Sequence, residues 1–118
     1  MYILRSLGVA SVLIFGMLVA ADVRAEEAAP FQRKEDVIYG RKYGVALTMD
    51  VLTPAKPNGA AVVFVVSGGW FSAHEAIHPE FLKSVLDRGY TVFAVVHGSQ
   101  PKFTIPEMVK HIEQGIVW

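Results

Sequence analysis

Two short runs of apolar residues constrain the fold of this chain more than any other feature. Ala60–Val66 (AAVVFVV) and Thr91–Val96 (TVFAVV) are apolar on both faces and rich in β-branched residues, which is typical of strands covered on both sides. Between them, Pro79–Arg88 carries apolar residues at helical spacing, with a proline suited to the first turn and Gly89 suited to the stop. Strand, helix and strand in this order predict a parallel βαβ unit.

The segments on either side of this unit complete an α/β pattern. Upstream, Val45–Val51 alternates apolar and polar residues, as in an antiparallel hairpin with one packed face, and Val37–Tyr39 is a short β-prone run before it. Downstream, a helix is predicted from Ile105, with Pro106 in its first turn and His111 expected to face solvent. The sequence therefore predicts an α/β fold in which an antiparallel hairpin precedes the parallel βαβ unit and a terminal helix.

The first 25 residues have the composition of an export signal. Arg5 precedes an uncharged stretch of 16 residues, Ser6–Ala21, and Val23 and Ala25 suit the small-residue positions before a cleavage site. This pattern predicts signal-peptide cleavage after Ala25 and a secreted or periplasmic protein. The alternative is a retained membrane anchor, but the uncharged stretch is shorter than the roughly 20 residues that a spanning helix needs, so no stable membrane span is expected.

The segment that would remain after cleavage is close to neutral and contains no cysteine. Residues 26–36 are polar and contain Pro30, which predicts a flexible lead-in to a domain over residues 37–118. No basic patch indicates nucleic acid as a partner. An exported domain without disulfides depends on its buried core, and the second apolar run has no predicted neighbour on its far side. We therefore expect an exposed strand edge and low stability for the isolated 26–118 piece.

The loop after the first apolar run is the segment best suited to chemistry. It reads Ser67-Gly68-Gly69-Trp70, and ligands of open α/β sheets bind just beyond the carboxyl ends of the strands. Two glycines let the backbone approach a ligand, with amides free to donate to a developing oxyanion. A tight strand-to-helix turn that needs glycine only for its geometry explains the same pair equally well on local spacing alone.

Together with its flanking elements, this loop resembles that of secreted esterases and lipases of the α/β-hydrolase fold, whose motif reads His-Gly-Gly-Gly-Trp. Aligned on the tryptophan, Val66 to Trp70 (VSGGW) occupy the motif, with valine for histidine and serine for the first glycine. The resemblance covers residues 37–118, the N-terminal portion of such a domain. It implies that the amides of Gly68 and Gly69 form the oxyanion hole, that Trp70 borders the acyl pocket and that His97 helps to wall the site against a small-molecule ester. It implies no cofactor.

The nucleophile of that family lies in a Gly-x-Ser-x-Gly turn after a further strand, with the acid and the histidine later still. The serines after the predicted cleavage site all lack glycine on one or both sides at that spacing; they are Ser67, Ser72, Ser84 and Ser99. We therefore interpret the chain as the N-terminal portion of an exported serine ester hydrolase that stops before its triad and does not hydrolyse esters as it stands. The alternative is a non-catalytic remnant or binding module.

One metal-binding motif competes with this interpretation. His74-Glu75-Ala76-Ile77-His78 matches the H-E-x-x-H pattern, which sets two imidazoles on one helix face for the zinc of a metallopeptidase. Pro79 follows at once and disfavours helical backbone at His78. We therefore expect an exposed segment before the crossover helix and no metal site.

Overall fold

The computed structural model describes residues 30–118, which form one mixed four-stranded sheet with helices packed against it. In chain order the elements are β1 (Phe31–Lys42), β2 (Val45–Pro54), β3 (Ala61–Val66), a short 3₁₀ helix (His74–Ala76), α1 (Pro79–Leu86), β4 (Thr91–Val96) and α2 (Ile105–Val117). The strand order is β1-β2-β4-β3, with β3 and β4 parallel and the other two pairs antiparallel. The predicted hairpin, βαβ unit and terminal helix are confirmed.

The crossover helix α1 begins and ends where its flanking residues dictate. Pro79 occupies the first turn, where its missing N–H costs no helical hydrogen bond. The chain leaves the helix through Gly89, whose φ of 87° lies in the left-handed region that glycine adopts without strain. A Cβ at this position would lie 2.8 Å from the carbonyl oxygen of Lys56, so the turn into β4 also needs the space that glycine leaves.

Two apolar cores cover the opposite faces of the sheet. The core under α1 contains Leu52, Val66, Ile77, Leu82, Leu86, Val92 and Ala94. The core on the other face contains Tyr39, Leu47, Met49 and Val95, and Met108 is buried on the inner side of α2. Because Ala94 and Val95 are neighbours in β4 and point into different cores, this strand is covered on both faces, as its composition predicts.

The outer strands of the sheet are β1 and β3, so the parallel strand at an open edge is β3, and this corrects the predicted position. We expected the second parallel strand to lack a neighbour, but β4 is bonded to β2 on one side and to β3 on the other. Val63 and Val65 of β3 remain 39% and 36% exposed. The alternation in β2 predicts a hairpin but carries no information about which parallel strand the hairpin will join, so the edge could not be located from the sequence.

The lead-in prediction is wrong for its second half. Residues 31–36 belong to β1, and their pairing with β2 runs from Phe31 opposite Pro54 to Lys34 opposite Val51, with an irregularity before Val37. Phe31 also packs against the core under α1. The predicted signal peptide, its cleavage site after Ala25 and the first residues of the lead-in lie outside the described residues. Within residues 30–118, no helix combines the length and the hydropathy that crossing a membrane requires.

Candidate functional site

The loops after the two parallel strands leave the sheet side by side. Val66 and Val96 are aligned in register at the last residues of β3 and β4. The segment from Ser67 to Ser72 therefore lies next to the segment from His97 to Ser99, at the edge of the sheet where α/β proteins bind ligands. The residues predicted from the sequence are brought together here.

The glycine loop forms a tight two-residue turn. The N–H of Gly68 donates to the carbonyl oxygen of Phe71 at 2.9 Å, and the N–H of Phe71 donates back at 3.0 Å. The two central residues, Gly69 and Trp70, have φ values of 57° and 62°, as in a type I′ hairpin turn. Glycine adopts this backbone freely, whereas tryptophan pays a conformational penalty, and strained residues of this kind concentrate at binding and catalytic sites.

The sequence analysis assigns the oxyanion hole to the amides of Gly68 and Gly69, and the geometry of this turn corrects the assignment of Gly68. The N–H of Gly68 is already engaged by Phe71, so Gly68 is not a free donor. The N–H groups of Gly69 and Trp70 have no hydrogen-bond partner among residues 30–118. The resemblance to the His-Gly-Gly-Gly-Trp motif identifies the two glycines. It does not show that the N–H of Gly68 closes the turn, or that the second free N–H belongs to Trp70.

The side chain of Trp70 lies at the tip of the turn and is 42% exposed, next to Phe71 at 61%. A surface cavity on this side of the loop is lined by Ser67, Gly68, Phe71 and His78, among others. The aromatic tip therefore offers exposed apolar surface beside the amides of Gly69 and Trp70.

Ser72 holds the turn against β4 without the histidine that begins the related motif. Its hydroxyl donates to the carbonyl oxygen of Val66 at 2.5 Å and accepts the N–H of His97 at 3.1 Å. Its backbone N–H donates to the hydroxyl oxygen of Ser99 at 2.8 Å, and that hydroxyl donates back to the Ser72 carbonyl oxygen at 3.1 Å. This buried network fixes the position of the loop relative to the sheet, because each group satisfies another that is removed from water.

His97 lies directly beneath the loop, with only 3% of its surface exposed. Its Nε2 atom is 2.9 Å from the hydroxyl oxygen of Ser67, and its Nδ1 atom is 2.6 Å from the carbonyl oxygen of Gly98. The ring also lines a cleft that contains Thr48, His74 and Ser99. The predicted site residue is thus at the site, but it meets the loop through a serine rather than standing open to solvent.

A second polar group, which the sequence analysis did not identify, joins β1, β2 and the 3₁₀ helix. Asp50 has no exposed surface, and its Oδ2 atom accepts hydrogen bonds from Nε and Nη2 of Arg33 at 2.8 and 2.5 Å. Its Oδ1 atom lies 2.9 Å from Nδ1 of His74, whose Nε2 atom lies 2.7 Å from the Thr48 hydroxyl oxygen. The sequence does carry a signal for this group: Thr48 and Asp50 are two residues apart in β2, and residues at this spacing lie on the same face of a strand.

The H-E-x-x-H segment is not a continuous helix. His74 lies in the 3₁₀ helix with both ring nitrogens facing β2, whereas His78 has extended backbone (φ −104°, ψ 99°) at the start of α1. The two imidazoles therefore do not share a helix face, because Pro79 disfavours helical backbone at the residue before it. Within the described part of the chain, no group of three or more His, Cys, Asp or Glu side chains is arranged to hold a metal ion.

The arrangement of the sheet and the helices is similar to that of solved esterases. No protein-family model matches the sequence, and a comparison with curated proteins finds no match. Among solved structures, esterase B from Lactobacillus rhamnosis (TM-score 0.56, 17% identity) matches 74% of this chain and 29% of its own. A bacterial heroin esterase (TM-score 0.58, 17% identity) matches 74% and 28%. Carboxyl esterase 2 of the fungus Tuber melanosporum (TM-score 0.55, 17% identity) matches 80% and 31%.

These likenesses establish the fold. Residues 30–118 form part of an α/β-hydrolase fold, comprising the antiparallel hairpin, the parallel βαβ unit and the helix that follows it. The chain spans less than a third of the length of each of these solved structures.

Proposed function

We propose that this chain is the N-terminal part of an exported serine ester hydrolase, in which the turn after β3 receives the oxyanion of the attacked ester carbonyl. The observation that carries the proposal is the pair of backbone amides at Gly69 and Trp70 that have no hydrogen-bond partner among residues 30–118. They sit in a turn that the Ser72 network fixes in place, at the carboxyl edge of the parallel strands. Donors held in advance at such a position are worth about 3–4 kcal/mol each to an acyl-transfer transition state.

The solved structures of the same fold support this class of reaction, because those three are esterases by name. Hydrolysis of a small ester needs a nucleophile, a base and an acid in addition to oxyanion donors. In the proposed enzyme these three groups lie in polypeptide that follows α2, and residues 30–118 supply the oxyanion turn and the aromatic surface of Trp70. Export is proposed from the signal-like composition of residues 1–25.

The oxyanion role can be tested on the chain itself. Isotope-labelled protein is titrated with butylphosphonate, an anion that resembles the tetrahedral species formed from an ester, and amide resonances are followed by NMR. We expect saturable downfield shifts of the Gly69 and Trp70 N–H resonances, while the Gly68 resonance stays in place because its N–H is engaged by Phe71. Gly59, a positive-φ glycine in an exposed loop, serves as the internal reference. Equal shifts at Gly59 and Gly69 would contradict the proposal.

The whole activity is tested on a longer polypeptide. The gene is read past Trp118, and the extended protein is assayed with short-chain p-nitrophenyl esters. In the active protein, replacing the backbone N–H of Gly69 by an ester oxygen, through incorporation of glycolic acid, is expected to lower kcat at least 100-fold. The same replacement at Gly59 is the matched control. If the extended protein binds butylphosphonate but hydrolyses no ester, the result supports the alternative of a binding module. The exposed side chains of Trp70 and Phe71 would then provide the binding surface.

A further inference from the structure

Ser67 and His97 form a hydroxyl–imidazole pair that the oxyanion role does not use. Ser67 is exposed on the loop after β3, while His97 is buried beneath it at the end of β4. The hydroxyl oxygen of Ser67 is 2.9 Å from Nε2 of the imidazole. This distance is the one expected between a nucleophilic hydroxyl and its general base.

The contact of Nδ1 of His97 determines whether the Ser67 hydroxyl donates or accepts the hydrogen bond with Nε2. Nδ1 is 2.6 Å from the carbonyl oxygen of Gly98, and a carbonyl oxygen can only accept a hydrogen bond. Nδ1 therefore carries the proton of the neutral ring, and Nε2 presents its lone pair to Ser67. The Ser67 hydroxyl must donate, so its oxygen is poised for attack while its proton already faces the base. Gly98 takes the orienting place that a carboxylate holds in a Ser-His-Asp triad.

The other hydroxyl–imidazole pair of the described residues lacks this restriction. His74 Nε2 is 2.7 Å from the Thr48 hydroxyl oxygen, but it is also 3.4 Å from Oδ1 of Asp36. His74 Nδ1 also lies 2.9 Å from Oδ1 of Asp50, so a proton on either ring nitrogen has a carboxylate to receive it, and the direction of the threonine hydroxyl is not fixed. The geometry of this group explains how a buried Asp50 is accommodated, whereas that of Ser67 and His97 prepares a nucleophile.

We propose that Ser67 is an acyl-accepting nucleophile with His97 as its general base. The Ser67 hydroxyl oxygen attacks the carbonyl carbon of an activated ester of a small acid, and its proton passes to Nε2 of His97. The C–O bond to the leaving group then breaks, and the leaving alkoxide or phenoxide takes the proton from His97, which leaves a neutral base and an acyl ester on Ser67. The proposal goes beyond the ester hydrolase described above, because the nucleophile of that enzyme is placed after α2.

The surroundings of Ser67 are compatible with such a substrate. Ser67 lines a cavity together with Phe71 and Ala76, so an acyl group on this residue has apolar side chains nearby. Two residues further along the chain, the N–H of Gly69 has no partner among the described residues. No residue outside this chain enters the reaction.

The test uses the full chain of 118 residues and p-nitrophenyl acetate. We expect a burst of about one equivalent of p-nitrophenolate, since residues 30–118 contain one serine–imidazole pair of this kind, and the mass of one acetyl group on the peptide that contains Ser67. Ser67→Ala removes an exposed hydroxyl and should abolish both signals while the far-ultraviolet circular dichroism stays unchanged. Ser84→Ala, at an exposed serine of α1, is the matched control and should retain both. His97→Gln keeps a side-chain donor near the loop but cannot accept the proton, and it should slow acetylation at least 100-fold.

Acetylation that maps to lysines or the amino terminus, or that persists in Ser67→Ala, would overturn the proposal. Equal rates in His97→Gln and the unmodified chain would remove the role of His97. These outcomes are independent of the oxyanion proposal, because butylphosphonate binding at Gly69 needs no nucleophile. Acetylation of Ser67 by a chain that does not bind the phosphonate would in turn support the nucleophile without the oxyanion turn.

Discussion

Arg33 pairs with an aspartate that has no contact with solvent: Nε and Nη2 of Arg33 lie 2.8 and 2.5 Å from Oδ2 of Asp50. The pair joins β1 to β2 in a segment whose composition suggests a mobile lead-in. A buried carboxylate loses its hydration, and a two-pronged guanidinium contact is the geometry that best offsets this loss. Arg33 therefore contributes a side-chain anchor for the polar start of β1, in addition to the strand pairing with β2.

Arg33→Met should lower the free energy of unfolding by about 3 kcal/mol, because it leaves the charge of Asp50 buried with only His74 and one backbone amide nearby. Urea unfolding of the full chain, followed by circular dichroism, measures the change. Arg88→Met, at an exposed arginine after α1, is the control. The double variant Arg33→Met/Asp50→Asn should recover part of the loss, since the uncompensated charge is gone. An unchanged midpoint for Arg33→Met would show that the pair contributes nothing.

The same pair illustrates what the sequence could and could not predict. Periodicity located β2, β4, α1 and α2 because each buries a face whose pattern is local. The strand character of residues 31–36 comes instead from partners far along the chain, since Arg33 finds its carboxylate only after β2 has folded back. Long-range pairing of this kind leaves no periodic trace in a short polar segment.

The candidate site also has features that the sequence predicts and features that depend on the folded structure. The position of the loop at the strand end was predictable from the apolar run that precedes it. Which amides stay free was not, because the bond from Gly68 to Phe71 depends on left-handed backbone at Trp70. His111, expected in solvent, is buried and accepts the N–H of Gly98 through Nδ1 at 3.1 Å, and desolvation lowers its pKa. His111 lies on the face of α2 that packs towards the sheet, and this face is known only once the packing of the helix is known.

Gly115 lets α2 approach β4 closely. A Cβ at this position would lie 2.9 Å from Cγ1 of Val95, closer than packed side chains come, and the helix would have to move outwards. Gly115→Val should therefore destabilise the fold by about 1–3 kcal/mol. Combining it with Val95→Ala should cost less than the sum of the two single changes, because the added methyl groups occupy the vacated space. Gly40→Ala is the control, since the atoms nearest to its Cβ would be the end of the long, exposed Gln114 side chain, which can rotate aside. Additive losses in the double variant would contradict the close approach.

The hydrogen bonds of Glu107 should make the stability of the fold depend on pH in the acid range. The backbone N–H of Thr104, then the hydroxyls of Tyr43 and Thr104, and then Lys42, lower its pKa from the ordinary 4.5 to about 2. The folded state thus binds this proton less readily than the unfolded state. The stability that Glu107 contributes is present above pH 4.5 and is lost as the pH falls towards 2. Urea midpoints of Glu107→Gln and the unmodified chain should differ at neutral pH and converge across this window. Glu113→Gln, near the end of α2, is the control, and a constant difference down to acid pH would refute the assignment.

The open edge of β3 should make the chain associate at high concentration. Val63 and Val65 lie half-exposed on a strand whose outer hydrogen-bonding groups have no strand partner within residues 30–118. Such edges pair with other chains unless a charge interrupts them. Val65→Lys is expected to reduce the sedimentation-detected association without changing the far-ultraviolet spectrum. Ile38→Lys, at an exposed apolar residue of β1, is the comparison. Association that responds to Ile38→Lys and not to Val65→Lys would place the contact on the opposite edge.

Ser72 joins the turn after β3 to the ends of both parallel strands through its hydroxyl. Ser72→Ala removes the hydroxyl that donates to Val66 and accepts from His97, and it leaves both backbone groups buried without a partner. Each such loss costs about 1–3 kcal/mol, and much of it should appear as local opening of the loop. Amide hydrogen exchange is therefore expected to accelerate at Gly68 and His97 while the α2 amides keep their protection. Ser72→Thr retains the hydroxyl and should keep exchange near the original rate, so an equal effect of both substitutions would show that the hydroxyl network does not hold the turn.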